Sequence, residues 1–210
     1  MKFDSLILDV DGTIWNTTEI VSKAWNKAIK ESFPQVKEVS AKILQQQFGK
    51  PMTEIAENLF SPLSKEEQLI LMKKCEEYEQ LAIENNQTDI SYEGVIASIK
   101  EISKSIPVFI VSNCQSGYIE LVCRKNGLQD FITGFTCFGD TGKFKDENIR
   151  LIIEKYKLKA PVYVGDTLGD FQACNRADIP FIWAAYGFGK DINGMYAKIE
   201  KFEDLKKIIL

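Results

Sequence analysis

The residues best placed to do chemistry are aspartates in two short clusters. Asp9-Val10-Asp11-Gly12-Thr13 sets two carboxylates two positions apart before a glycine, and Gly165-Asp166-Thr167-Leu168-Gly169-Asp170 sets two more, four apart. Between them lie Ser112-Asn113, offering a hydroxyl and an amide, and a lysine-bearing stretch with Lys143 and Lys145. Taken singly, each has a plain explanation: Asp-x-Asp-Gly-Thr as a turn, Asp166 or Asp170 as a helix cap, the lysines as solvated surface. Taken together, each at the end of an apolar run, they fit a site where clustered carboxylates repel until a hard divalent cation relieves them. Oxygen donors of this kind suit Mg²⁺ and phosphoryl chemistry. With part of the charge neutralised, Asp9 can attack a phosphate and carry it as an aspartyl-phosphate. Asp11 can protonate the leaving oxygen and later activate water. Ser112, Asn113 and one of the two lysines would bind the phosphoryl oxygens, and Gly12 and Thr13 join them as phosphate-binding candidates.

Composition removes several other chemistries. The 210 residues contain no histidine, so Ser-His-Asp hydrolysis, Cys-His catalysis and His-ligated zinc are excluded within the chain. The five cysteines are widely spaced, with no Cys-x-x-Cys pair, which suggests neither a zinc knuckle nor a disulfide framework and fits a reducing cytoplasm. A net charge of -4 argues against nucleic acid or an anionic membrane as partner. No apolar run reaches membrane-spanning length, and Leu6–Leu8 meets Asp9 too soon for a signal peptide. The expected partner is a small phosphorylated metabolite, bound by a monomer or homodimer.

The elements that must position these residues follow from apolar patterning. Leu6–Val10, Val108–Val111, Val162–Val164 and Phe181–Trp183 read as buried strands, and Gly134–Phe138 as a weaker fifth. Helical patterns at Tyr118–Lys125, Glu147–Tyr156 and Phe171–Arg176 alternate with them, which implies βαβ units and a mostly parallel, doubly wound α/β sheet. Residues 15–89 differ, carrying several amphipathic helical stretches; the longest starts at Ser64, which with Glu67 forms a capping-box pattern. The expected organisation is an α/β core of residues 1–14 and 90–210 with a small α-helical domain inserted after the first strand. Ligands of such sheets bind beyond the carboxyl ends of the strands, where the aspartates fall.

From DVDGT through VSN and the lysine region to GDTLGD, the chain resembles the haloacid dehalogenase superfamily of phosphatases, in the phosphoglycolate phosphatase-like and β-phosphoglucomutase-like branch. The resemblance implies strand order 5-4-1-2-3 and an α-helical cap after the first motif. It implies Asp9 as nucleophile, Asp11 as general acid/base, and Ser112 with a lysine as phosphate ligands. Mg²⁺ would be held by Asp9, the backbone carbonyl of Asp11 and Asp166, with Asp170 behind them. Lys145, just ahead of a helix, matches the family's lysine better than Lys143, whose version of the motif lacks its prolines here. Asp11 separates the chain from the dehalogenases, which lack an acid/base at that position. Where many relatives read DGTLxDS, this chain has Asn16 for the aspartate and a bulky Trp15 before it.

Selectivity would come from the insert. Lys50, in Phe48-Gly49-Lys50-Pro51, can meet a second anionic group of the substrate; alternatively Gly49 ends a helix, Pro51 starts another and Lys50 is solvated. Trp15 and Trp25 can line a pocket, with core the better reading for Trp25, and Cys114 can lie near the site as a buried spectator. The leading function is Mg²⁺-dependent hydrolysis of a phosphate monoester. The alternatives are a phosphomutase of the β-phosphoglucomutase type and, less favoured, a non-catalytic binding protein on the same scaffold.

Overall fold

The computed structural model describes residues 2–209; Met1 and Leu210, the outermost residues of the expected core, lie outside the described residues. In chain order the elements are β1 (Ser5–Leu8), α1 (Thr18–Ser32), α2 (Ala41–Gln45), α3 (Met52–Leu59), α4 (Lys65–Asn85), α5 (Val95–Ile102), β2 (Val108–Ser112), α6 (Tyr118–Asn126), β3 (Gly134–Cys137), α7 (Phe138–Thr141), α8 (Lys145–Tyr156), β4 (Pro161–Gly165), α9 (Leu168–Ala177), β5 (Phe181–Ala184), β6 (Ala197–Ile199) and, after a 3-10 turn, α10 (Leu205–Ile209). The chain divides into two compact units, 1–16 with 91–210 and 17–90.

The first unit is built on a wholly parallel sheet. Its central strands are buried from end to end, which is why Ser-Leu-Ile-Leu and Val-Phe-Ile-Val-Ser read as continuous apolar runs instead of alternating ones. Leu8 is in register with Ile110 on one side and Val164 on the other, so residues after β1, β2 and β4 emerge along one edge of the sheet. Ile149, Ile152, Ala173 and Cys174 from α8 and α9 cover one face, packing on Ile7, Phe109, Val111, Tyr163 and Phe181.

The sheet has six strands in the order β3-β2-β1-β4-β5-β6. Read from the other edge, this is the expected 5-4-1-2-3 with a sixth strand outside β5, and the five-stranded order is corrected accordingly. Ala-Lys-Ile is three residues long, lies at the edge and buries only Ile199, so it carries no apolar run to announce it. Two helices start earlier than apolar periodicity predicts. In α9 the Thr167 hydroxyl accepts from the Asp170 amide at 3.2 Å, while the Thr167 amide donates to Asp170 Oδ2 at 2.9 Å. This reciprocal capping begins the helix ahead of Phe171.

The second unit is a helical cluster in which α1 packs against α4. Trp25 of α1 is fully buried, its indole donating to Glu79 Oε2 at 2.8 Å and its ring meeting Phe60, so it belongs to the core of this unit. At the start of α4 the Glu67 amide donates to Ser64 Oγ and the Ser64 amide to Glu67 Oε2 at 2.8 Å, completing the box seen in the sequence. Ser64→Ala is expected to lower stability by about 1 kcal/mol, the usual loss for an N-cap, as measured by urea denaturation.

Candidate active site

The edge of the sheet where β1, β2 and β4 end gathers the predicted residues. Asp9 follows β1, its amide donating to the Val164 carbonyl at 2.9 Å, so the strand pairing that closes the sheet also sets its position. The chain then turns back sharply: the amides of Thr13 and Ile14 both donate to the Val10 carbonyl, and the Gly12 amide donates to the Trp15 carbonyl at 2.9 Å. Gly12 has φ +82°, and a Cβ there would stand 2.1 Å from Asp166 Oδ2. Only glycine meets both conditions.

Asp166, after β4, is fully buried and closely held. The Phe188 amide donates to its Oδ2 at 2.6 Å, and the Trp183 indole donates to its backbone carbonyl at 3.1 Å. Its other oxygen, Oδ1, is buried without a hydrogen-bond partner. Asp170 accepts from the Thr167 amide and hydroxyl at Oδ2, at 2.9 and 2.7 Å, so it does cap α9. Its Oδ1 accepts from Lys145 Nζ at 2.5 Å, and the same ammonium donates to Asp9 Oδ1 at 2.8 Å. Lys145, first residue of α8, is only 3% exposed and lies 5.8 Å from the centre of the Tyr163 ring. Lys143 is exposed, its amide donating to Thr141 Oγ1 and its carbonyl accepting from Asn148. Of the two candidate lysines, Lys145 is the one in the cluster.

The remaining candidates fall into three groups. Ser112 ends β2 opposite Cys137 and is buried; Asn113 beside it is also buried. Thr13 is fully buried, its hydroxyl oxygen without a hydrogen-bond partner. Asp11 has its Oδ1 held by the Trp15 indole and the Tyr118 hydroxyl. Lys50 belongs to the second unit, where its ammonium donates to Gln47 Oε1 at 3.4 Å and pairs with Glu54 at 3.2 Å. All five cysteines are free and buried.

Two features escaped the sequence reading. The loop after β5 wraps Asp166: a Cβ on Gly187 would lie 2.3 Å from the Gly12 carbonyl, and one on Gly189 2.0 Å from the Asp166 carbonyl. Tyr186 in the same loop donates to the Thr13 carbonyl at 2.8 Å. The Gly-x-Gly spacing was the available signal, since paired glycines permit close backbone approach. Tyr118, which reaches Asp11, gave none.

Asp9, Asp166 and Asp170 each offer an oxygen within 4.8 Å of the others, and all three are buried. One ammonium, Lys145, faces three carboxylates, leaving two negative charges uncompensated if all are ionised. Burial pushes the Asp9 carboxyl up to about 6, Lys145 pulling it down and Asp170 pushing it up. Burial likewise raises Asp166 well above the carboxylate range, with Asp170 and Asp9 adding to the rise. Hard oxygen donors, an orphaned buried carboxylate oxygen and a net negative charge fit a divalent cation.

Residues 6–184 match the family model of haloacid dehalogenase-like hydrolases. The chain belongs to that family. No curated protein matches it by sequence. Its fold is shared by a protein of Haemophilus somnus named as a predicted phosphoglycolate phosphatase, at TM-score 0.87 and 16% identity, covering 100% of this chain and 99% of the other. A haloacid dehalogenase-like hydrolase of Streptococcus pneumoniae aligns at TM-score 0.85 and 18% identity, over 100% and 99%. CbbY of Rhodobacter sphaeroides, solved with xylulose-(1,5)bisphosphate, aligns at TM-score 0.81 and 17% identity, over 97% and 96%. At these identities the likeness concerns fold alone.

Because the folded protein holds a proton on Asp9 more tightly than the unfolded chain does, this group contributes stability to the metal-free protein that is fully present below about pH 4 and is lost as pH rises through 6. Asn cannot ionise, so Asp9→Asn is expected to be more stable than the parent above pH 6 and to show a shallower pH dependence between 4 and 6, read by thermal melts in chelator.

Proposed function

We propose that this hydrolase is a phosphatase that removes phosphate from a small metabolite monoester, with Asp9 as the phosphoryl carrier. The observation that carries this reading is the buried cluster in which Lys145 bridges Asp9 and Asp170 while Asp166 Oδ1 is left without a partner.

Asp9 Oδ attacks phosphorus as the ester P–O bond breaks, its electron pair going to the leaving oxygen, which takes a proton from Asp11. A water then attacks the aspartyl-phosphate, giving its proton to Asp11 and releasing inorganic phosphate and the Asp9 carboxylate. Lys145, an ammonium between two carboxylates, would hold phosphoryl oxygens beside Asp9, with Ser112, Asn113, Gly12 and Thr13 as further candidates for binding them. Asp170 has both oxygens engaged, by Thr167 and by Lys145. This supports a role in aiming the lysine, behind the residues that would hold Mg²⁺: Asp9, Asp166 and the Asp11 carbonyl. When bound, Mg²⁺ would neutralise the excess carboxylate charge and polarise the phosphoryl group.

Free cysteines throughout suit a cytoplasmic setting, and the helical unit of residues 17–90 is read as the cap that selects the substrate. Lys50 would exchange its pairing with Glu54 for a second anionic group of the ligand. The bisphosphate bound by CbbY supports a small phosphorylated metabolite as the substrate class. A screen of phosphorylated metabolites by phosphate release would name it, and isomerisation of β-glucose 1-phosphate without phosphate release would point to a mutase.

Asp9→Asn is expected to abolish Mg²⁺-dependent turnover while retaining the far-UV circular dichroism spectrum, and beryllium fluoride should bind the parent at the Asp9 carboxylate. Full activity in excess chelator would overturn the reading. Asp11→Asn should slow esters with alkyl leaving groups by a factor on the order of 10²–10⁴, the range of general acid catalysis, and activated aryl phosphates much less. Equal losses on both would remove Asp11 from that role.

A further inference from the structure

Asp11 sits in an aromatic setting that the proposed chemistry does not by itself require. The Trp15 indole Nε1 donates to Asp11 Oδ1 at 3.1 Å, and the Tyr118 hydroxyl donates to the same oxygen at 2.9 Å. The two rings meet edge to face, with centroids 5.7 Å apart and planes at 74°. Both are buried, Trp15 completely. Their mounts are firm: the Trp15 carbonyl accepts from the Gly12 amide, the Ile14 carbonyl accepts from the Tyr92 amide, and Trp15 bridges to Ser91. Tyr118 opens α6 immediately after Gly117, at φ +83°. All of these residues belong to the first unit.

We propose that Trp15 and Tyr118 form a clamp that orients the Asp11 carboxylate and assigns its transferable proton to Oδ2. The inference rests on Asp11 serving as general acid and base. An indole N–H can only donate, so the oxygen facing it must remain an acceptor. An Oδ1 that accepts from both donors is the carbonyl oxygen of the protonated acid and a carboxylate oxygen of the base. It is an acceptor in both forms, so the clamp survives each proton transfer. Oδ2 gives its proton to the leaving oxygen as the ester bond breaks and recovers one from the attacking water, with no reorientation between the half-reactions. The clamp thereby holds the carboxylate by one oxygen, and fixed geometry is what general acid catalysis demands of its donor. It also gives a use to the bulky residue at position 15. Trp15 and Tyr118 are positioning residues, acting through Asp11.

The test is a comparison of Tyr118→Phe and Trp15→Phe on an alkyl phosphate and on p-nitrophenyl phosphate, in the parent and Asp11→Asn backgrounds. Tyr118→Phe keeps the ring and its edge contact with Trp15, so it decides the matter even if Trp15→Phe fails to fold; thermal melts check both. For Tyr118→Phe, kcat on the alkyl ester should fall about tenfold, as for one lost hydrogen bond to a charged group. KM should stay near the parent value, and the loss on p-nitrophenyl phosphate should be much smaller. In the Asp11→Asn background the same change should cost nothing further, because its route is gone. Equal losses on the two esters, or full additivity with Asp11→Asn, would overturn the clamp while leaving Asp11 its role. If Asp11→Asn itself shows no leaving-group dependence, the general-acid reading falls and the clamp falls with it.

Discussion

Three buried carboxylates share one ammonium, and most of the local architecture is arranged to make that imbalance tolerable. Ionised groups withdrawn from water are costly unless paired or bound to a cation. Lys145 engages Asp9 and Asp170 at once, the Phe188 amide satisfies one oxygen of Asp166, and the Thr167 cap satisfies one oxygen of Asp170. What remains is negative charge and an unpartnered oxygen. A cation completes such a site, and an anionic ester can approach it only once that charge is offset. In the proposed mechanism, the fit to a divalent cation and the attack of a carboxylate on a phosphate share this one electrostatic origin.

Keeping charges this close requires backbone that approaches closely too. Gly12, Gly187 and Gly189 have no room for a Cβ because each faces Asp166 or its neighbours, and Gly165 would likewise collide with Asp170. The carboxylates are therefore packed between main-chain segments, which limits their rearrangement. Asp170 shows how economically this is done, since one side chain starts a helix with one oxygen and aims a lysine with the other. Structural and chemical explanations of that residue are both correct.

The two units are built differently. Asp9, Ser112, Lys145, Asp166 and Asp170 all belong to the sheet-bearing unit, Asp9, Ser112 and Asp166 at the ends of strands and Lys145 and Asp170 in the first turns of α8 and α9. The helical unit of residues 17–90 builds its own core around Trp25, Phe60 and the α1–α4 contact. Under the proposed function, phosphoryl chemistry falls to the sheet-bearing unit and substrate recognition to the separately packed helical one.

Much of this was legible without coordinates. Apolar runs located four of the six strands, because strands buried on both faces are continuously apolar, and the half-buried β3 was legible only as a weaker fifth; Asp-x-Asp with Gly-Asp-x-x-x-Asp named the acidic residues because few other patterns concentrate carboxylates at strand ends. The absence of histidine excluded whole classes of mechanism from composition alone. Tertiary structure decided what depends on distance between remote segments. It showed that Lys145 and not Lys143 enters the cluster, that a three-residue sixth strand lies at one edge of the sheet, and that the Gly187–Gly189 loop wraps Asp166. It also brought Tyr118 to the same oxygen as Trp15. Local pattern records periodicity and turn chemistry, whereas a hydrogen bond between residues a hundred positions apart leaves no trace in either; only packing creates it.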